Sequence, residues 1–154
     1  MRARPVTLMA AGLAMAASQA FAAATAADEL QRLFADYTAM WSAKDAEGIW
    51  AKVYRPGRGL RFQSAADVGQ ELKRLSDQGY DHSVINSVRP CLLAAQDGVV
   101  EFRYTRLKTD GGFMPPKDRA GLYVVHKYPE GWRIVSILPM DARAKVDCTS
   151  APAD

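Results

Sequence analysis

The hydrophobic period of the chain changes once, at Gly79, and that change limits what it can fold into. Ahead of it apolar residues recur three and four apart, as on one face of a helix; behind it they alternate, as along a strand. From Asp28 to Lys44 the series Leu30, Leu33, Phe34, Tyr37, Met40 and Trp41 predicts an amphipathic helix. Asp45 is placed to cap a second, shorter helix presenting Ile49, Trp50, Val53 and Tyr54, and "RPGRG" ends it, because proline and glycine break the ladder. "LRF" reads as a short strand. Ser64 and Asp67 then form a shortened capping box for a third helix, with Ala65, Val68, Leu72 and Leu75 inward and Gly79 as its left-handed terminator.

Everything after Gly79 reads as strand. In "YDHSVINSVRPCLLAAQ", Pro90 must sit at an edge or a bulge, since it donates nothing to a ladder. Asp97-Gly98 predicts a two-residue turn that sets Leu93 opposite Phe102 and Cys91 opposite Tyr104 on an apolar inner face. Glu101, Arg103 and Thr105 then point outward, as in an antiparallel sheet with one dry side. After the connection "KTDGGFMPPKDRAG", a second hairpin is expected in "LYVVHKYPEGWRIVSIL", with a three-residue loop Pro129, Glu130 and Gly131. That loop sets Tyr128 opposite Trp132, His126 opposite Ile134 and Val124 opposite Ser136. The other face holds Tyr123, Val125, Val135 and Ile137, so both sides are largely apolar; central strands covered twice, or a subunit interface, would account for that.

The first 22 residues read as a secretory signal: Arg2 and Arg4, an uncharged run from Val6 to Ala17, then the small-x-small triplet Ala20, Phe21 and Ala22. The run is too short to span a bilayer, and Sec-type export to the periplasm or beyond is expected, with no membrane association after cleavage. The remainder, residues 23–154, suits a single domain with a C-terminal tail. All 17 acidic residues lie beyond the cut and 18 of the 20 basic ones do, so the net charge of that part is +1 and not +3. This argues against a nucleic-acid partner, which needs a concentrated positive patch. Arg55, Arg58 and Arg61 read as a solvated loop. Cys91 and Cys148 are expected to pair as a disulfide in an oxidising compartment. No metal site and no cofactor motif is evident: the two histidines stand 44 positions apart, and there is neither a C-x-x-C pair nor a phosphate-cradling glycine loop.

The order of elements, "FADYTAMWSAKDAEGIWAKVY" near the start and "GLYVVHKYPEGWRIVSIL" near the end, resembles the nuclear transport factor 2-like superfamily, to which SnoaL-like and ketosteroid isomerase-like proteins belong. The resemblance covers residues 28–139. It implies an α+β cone, three N-terminal helices packed in the concave face of a curved antiparallel sheet, with an open end that often holds a ligand and frequent dimerisation through the sheet. The hollow would be lined by Tyr37, Trp41, Trp50, Tyr54, Phe102 and Tyr104.

In an isomerase of this superfamily a carboxylate on the early strand takes a proton and a first-helix tyrosine holds the oxyanion. Tyr37 matches the tyrosine, whereas "GLRF" offers Arg61 in place of the carboxylate. His82 is the remaining proton carrier, with neighbouring Asp81 pointing to the opposite face of a regular strand. The expected function is therefore an exported, non-enzymatic domain that binds a small apolar or aromatic ligand, or a protein partner, in or beside the cone; a homodimer through the outer sheet face is a separate expectation. The alternative is a cofactor-independent lyase or isomerase using His82 and Tyr37 for proton transfer.

Overall fold

The computed structural model describes residues 11–148, with side chains from Ala26 onward apart from that of Arg58. Residues 1–10 of the expected export signal lie outside the described residues. The rest of it runs into one helix, α1 (Ala11–Ala43), so the expected cleavage point after Ala22 falls inside that helix. Among the described residues no helix is long and apolar enough to cross a membrane.

Asp45 caps α2 (Ala46–Lys52) as expected, its Oδ1 accepting the Gly48 N–H at 2.8 Å. The next segment departs from expectation. "RPGRG" does not merely end the helix: with Tyr54 it forms a strand, β1 (Tyr54–Gly59), whereas "LRF" is irregular and buries Leu60 and Phe62. Proline and glycines are tolerated because β1 is an edge strand, paired on one side only. Gly59 is required where it stands, since a Cβ there would lie 2.2 Å from Ser136 Oγ. α3 (Ala65–Asp77) opens on the predicted box, Asp67 N–H to Ser64 Oγ and Gln63 N–H to Asp67 Oδ2, and Gly79 terminates it at φ 86°.

Four further strands, β2 (Tyr80–Leu92), β3 (Asp97–Lys108), β4 (Arg119–Tyr128) and β5 (Gly131–Met140), complete a five-stranded open sheet of order β1-β5-β4-β3-β2. Only the β1–β5 pair is parallel. The fold is thus α+β. Pro90 sits on the edge strand β2, as its chemistry requires.

The hairpin registers differ from those predicted. Asp97-Gly98 is not a turn; it begins β3, and Cys91 pairs with Val99, Val88 with Phe102 and Ile85 with Tyr104. Gly98 is a close-approach glycine, where a Cβ would lie 3.0 Å from the Cys91 carbonyl, while Asp97 pairs across to His126 of β4. The loop therefore falls at Leu93–Gln96, leaving Leu93 60% exposed. In the second hairpin Tyr128 pairs with Gly131, so the loop is only Pro129-Glu130, although Gly131 does take positive φ, at 115°. A bulge between Val124 and Val125 restores the predicted Val124–Ser136 pair. Ile137 keeps the face of Tyr123 and Val125, which is the core face, and Ile134, expected opposite His126, pairs with Val125 and is buried there too.

The core joins Leu30, Phe34, Tyr37 and Trp41 of α1 to Val100, Phe102, Tyr123, Val125 and Ile134 of the sheet. Phe34 lies 5.0 Å from Phe102 and 5.2 Å from Tyr123, ring centre to ring centre. Glu29 ties the same helix to the second hairpin, its Oε2 accepting from Lys127 Nζ at 2.6 Å and Trp132 Nε1 at 2.8 Å.

On the other face, Glu101 is only 1% exposed. The chain beyond β5 covers it: Val146 N–H donates to Glu101 Oε2 at 2.8 Å, Arg103 donates to the carbonyls of Ala142 and Ala144, and Cys148 is disulfide-bonded to Cys91 with a Cα–Cα distance of 5.5 Å. Arg103 and Arg89 lie 2.8 and 3.6 Å from the carboxylate. Burial works to raise its pKa, but the Val146 N–H and the two guanidiniums outweigh it, and the carboxyl is held below its ordinary value.

Candidate functional site

Helical spacing puts Phe34, Tyr37, Thr38 and Trp41 on the buried face of α1, and strand alternation puts Val100, Phe102, Tyr104 and Arg106 on the facing side of β3. Between them lies a cavity of about 20 Å³, lined by Tyr37, Thr38 and Trp41 of α1, Ser83 of β2, and Phe102, Tyr104 and Arg106 of β3. That is room for a water or two, or for a headgroup of a few atoms. Most of the hollow is filled by the protein's own rings. Phe102 and Tyr104 stack at 5.0 Å, and Tyr37 packs edge-on against Trp41 at 6.0 Å.

Four of the six expected lining residues, Tyr37, Trp41, Phe102 and Tyr104, meet at this cavity. Tyr54 stands behind it, its hydroxyl 3.0 Å from that of Tyr37; Trp50 is half-buried against the core, away from the lining. Burial pushes the phenols of Tyr37, Tyr54 and Tyr123 well up, and their mutual proximity adds to this for Tyr37 and Tyr123. These groups stay protonated at neutral pH and can donate hydrogen bonds but not act as bases. The Trp41 indole N–H is also buried, close to the Tyr54 hydroxyl but without hydrogen-bond geometry to any acceptor.

His82 is placed elsewhere. Bulges in β2 fall at Asp81 and Asn86, not at Pro90, and they set Tyr80, Ser83, Ile85 and Val88 toward the core. His82 is 45% exposed and does not line the cavity. The bulge also overturns the expectation that Asp81 and His82 diverge: Nδ1 of His82 lies 2.7 Å from Asp81 Oδ2. His126 makes the equivalent contact to Asp97 at 2.7 Å, with its ring 4.7 Å from that of Tyr128.

Ser83, Thr38 and Arg106 were not singled out by sequence reasoning. Arg106 could have been, because it continues the alternation of Phe102 and Tyr104; Ser83 could not, since its direction depends on a bulge. A wider open groove of about 400 Å³ beside α3 is lined by Arg61, Phe62, Asp67, Gln70, Glu71 and Arg74. Its charges are already engaged, Glu71 with Arg74 at 2.7 Å and Arg61 at 3.0 Å. Among the described residues no cluster of three or more histidine, cysteine or acidic side chains is arranged to hold a metal ion.

No protein-family model and no curated protein matches the chain. Solved structures do. An NTF2-like protein with a cystatin-like fold from Novosphingobium aromaticivorans superposes with a TM-score of 0.59 at 16% identity, over 84% of this chain and 88% of that one. A nuclear transport factor 2-like superfamily protein from Salmonella enterica gives 0.56 at 15%, over 83% and 98%. A chain from N. aromaticivorans assigned as the β subunit of an aromatic-ring-hydroxylating dioxygenase gives 0.54 at 9%, over 82% and 95%. Helices followed by a largely antiparallel sheet, with an aromatic hollow between, are the nuclear transport factor 2-like fold, and this chain has it.

Proposed function

We propose that the protein is an exported binding module that holds a small aromatic or apolar ligand at the mouth of the hollow between α1 and β3. The observation that carries this reading is the make-up of the cavity: aromatic walls, buried donors, one cationic rim residue, and no acid-base pair. Fold alone selects no function. The cavity admits a headgroup and not a whole ligand, so the body of the ligand would stand against Tyr104 at the opening. The Cys91–Cys148 disulfide supports the export reading, because such bonds persist in oxidising compartments.

Native mass spectrometry of protein purified from the periplasm, against its denatured non-reduced mass, tests the reading. Excess mass lost on denaturation supports it; a bare mass together with no change in Trp fluorescence on ligand screening overturns it. The lyase or isomerase alternative requires His82, so His82→Ala should leave binding unchanged on our reading and abolish turnover on the other.

A second reading concerns the outer face. Glu101, Leu122 and Leu138 are directly opposite one another across β3, β4 and β5, and Leu138 is 46% exposed. Where the tail ends its cover, this leaves an apolar strip suited to a second copy of the chain.

A further inference from the structure

Arg106 and Arg119 lie on the face of the sheet that carries the cavity. Arg119 pairs directly opposite Tyr104, and opposite partners of antiparallel strands share a face. Arg106 stands two residues beyond Tyr104 and lines the cavity itself. The ion pairs of the described residues engage Arg55, Arg61, Arg74, Arg89 and Arg103, and leave these two without a carboxylate.

Arg106 lies over the rings of Tyr104 and Tyr80, its Cζ 5.5 and 5.9 Å from their centres. Arg119 donates from Nη2 to the Pro115 carbonyl at 2.7 Å, while its Nε–H is buried without an acceptor. Burial pushes the pKa of Arg119 down, and the charges of Arg106 and Arg74 push the same way. A half-buried guanidinium whose buried Nε–H has no acceptor, beside a second one without a carboxylate partner, is an arrangement completed by an anion.

We propose that the ligand of this site is a small planar carboxylic acid, bound as its carboxylate by Arg106 with Arg119 supplying the second positive charge. The inference rests on the binding reading above and specifies its ligand. The planar fork of arginine matches a carboxylate in two parallel hydrogen bonds. Space for a few atoms accommodates that headgroup, and the rings of Tyr104 and Phe102 offer a flat apolar wall to the body attached to it.

The test is calorimetric titration of the purified protein with benzoate and cinnamate and with their neutral amides, benzamide and cinnamamide, following Trp fluorescence in parallel. The acids should bind about tenfold or more tighter than the amides, weakening as salt rises. Arg106→Gln should remove most of that preference while leaving the melting temperature unchanged. Arg119→Lys, which keeps the charge and loses the fork, serves as the second variant and should reduce the preference without unfolding the chain. Equal affinity for acids and amides, or a preference that survives in both variants, overturns the carboxylate assignment and leaves the binding reading standing. Absence of heat and of fluorescence change with all four probes overturns the carboxylate assignment, and joined to a bare native mass it overturns the binding reading as well.

Discussion

Glu71 shows how single carboxyls set the acid limit of this domain. Hydrogen bonds from Arg74, and then from Arg61, work against its partial burial and bring its pKa down to about 2. A carboxyl with a lowered folded pKa gives stability that is complete above its unfolded value and is lost as pH falls toward the folded one. Thermal melts of the native protein should therefore lose stability between about pH 5 and pH 2. Glu71→Gln should flatten part of that slope, while lowering the melting temperature at pH 7. The buried phenols act at the other end of the scale. Spectrophotometric titration should show Tyr37, Tyr54 and Tyr123 ionising only with alkaline unfolding, because burial holds them up. Phe34 is the single side chain whose loss should cost most in the core, since it is fully buried against Tyr37, Phe102 and Tyr123; Phe34→Ala should destabilise by about 3–5 kcal/mol in denaturant titrations.

At the scale of elements, the tail is held by a covalent bond and by polar contacts whose worth can be separated. Replacing Cys148 by Ser removes a cross-link between positions 57 apart, an effect of about 4 kcal/mol in the chain-entropy picture. Deleting residues 142–148 should cost more than that replacement, because Glu101 then loses the Val146 N–H as well. Both variants are compared by thermal melting under non-reducing conditions. The elements themselves were legible where local chemistry is strong: the helical stripe of α1, the Asp45 and Ser64 caps, and the positive φ of Gly79 and Gly131. What escaped was everything set by non-local pairing. "RPGRG" has the composition of a break and becomes a strand only because β5 runs beside it. Asp97-Gly98 has turn chemistry, but its glycine serves close packing and its carboxylate meets His126. Four of the seven residues lining the cavity followed from periodicity; Ser83 and the placement of His82 depended on bulges that no local signal marks.

For the whole molecule, the outer sheet face is divided between the tail over β2 and β3 and the Leu122–Leu138 strip on β4 and β5. If two copies join through that strip, Leu138→Asp should convert a dimer to a monomer by light scattering with the melting profile of the monomer intact; a dimer that persists removes this role for the strip. The two faces should be independent, so this variant should leave binding at the Arg106 end unchanged.

The parallel pairing of β1 with β5 also governs time. Tyr54 finds its partner only at Ile134, so the sheet cannot acquire its first edge until nearly all of the chain is available. Pairing over such a separation raises contact order and slows folding. During synthesis the helices and the β2–β3 hairpin can form early, yet closure of the core waits for the last strand. On the export reading proposed above, such a delay would leave the chain open for threading and let it become compact where its cysteines can be oxidised.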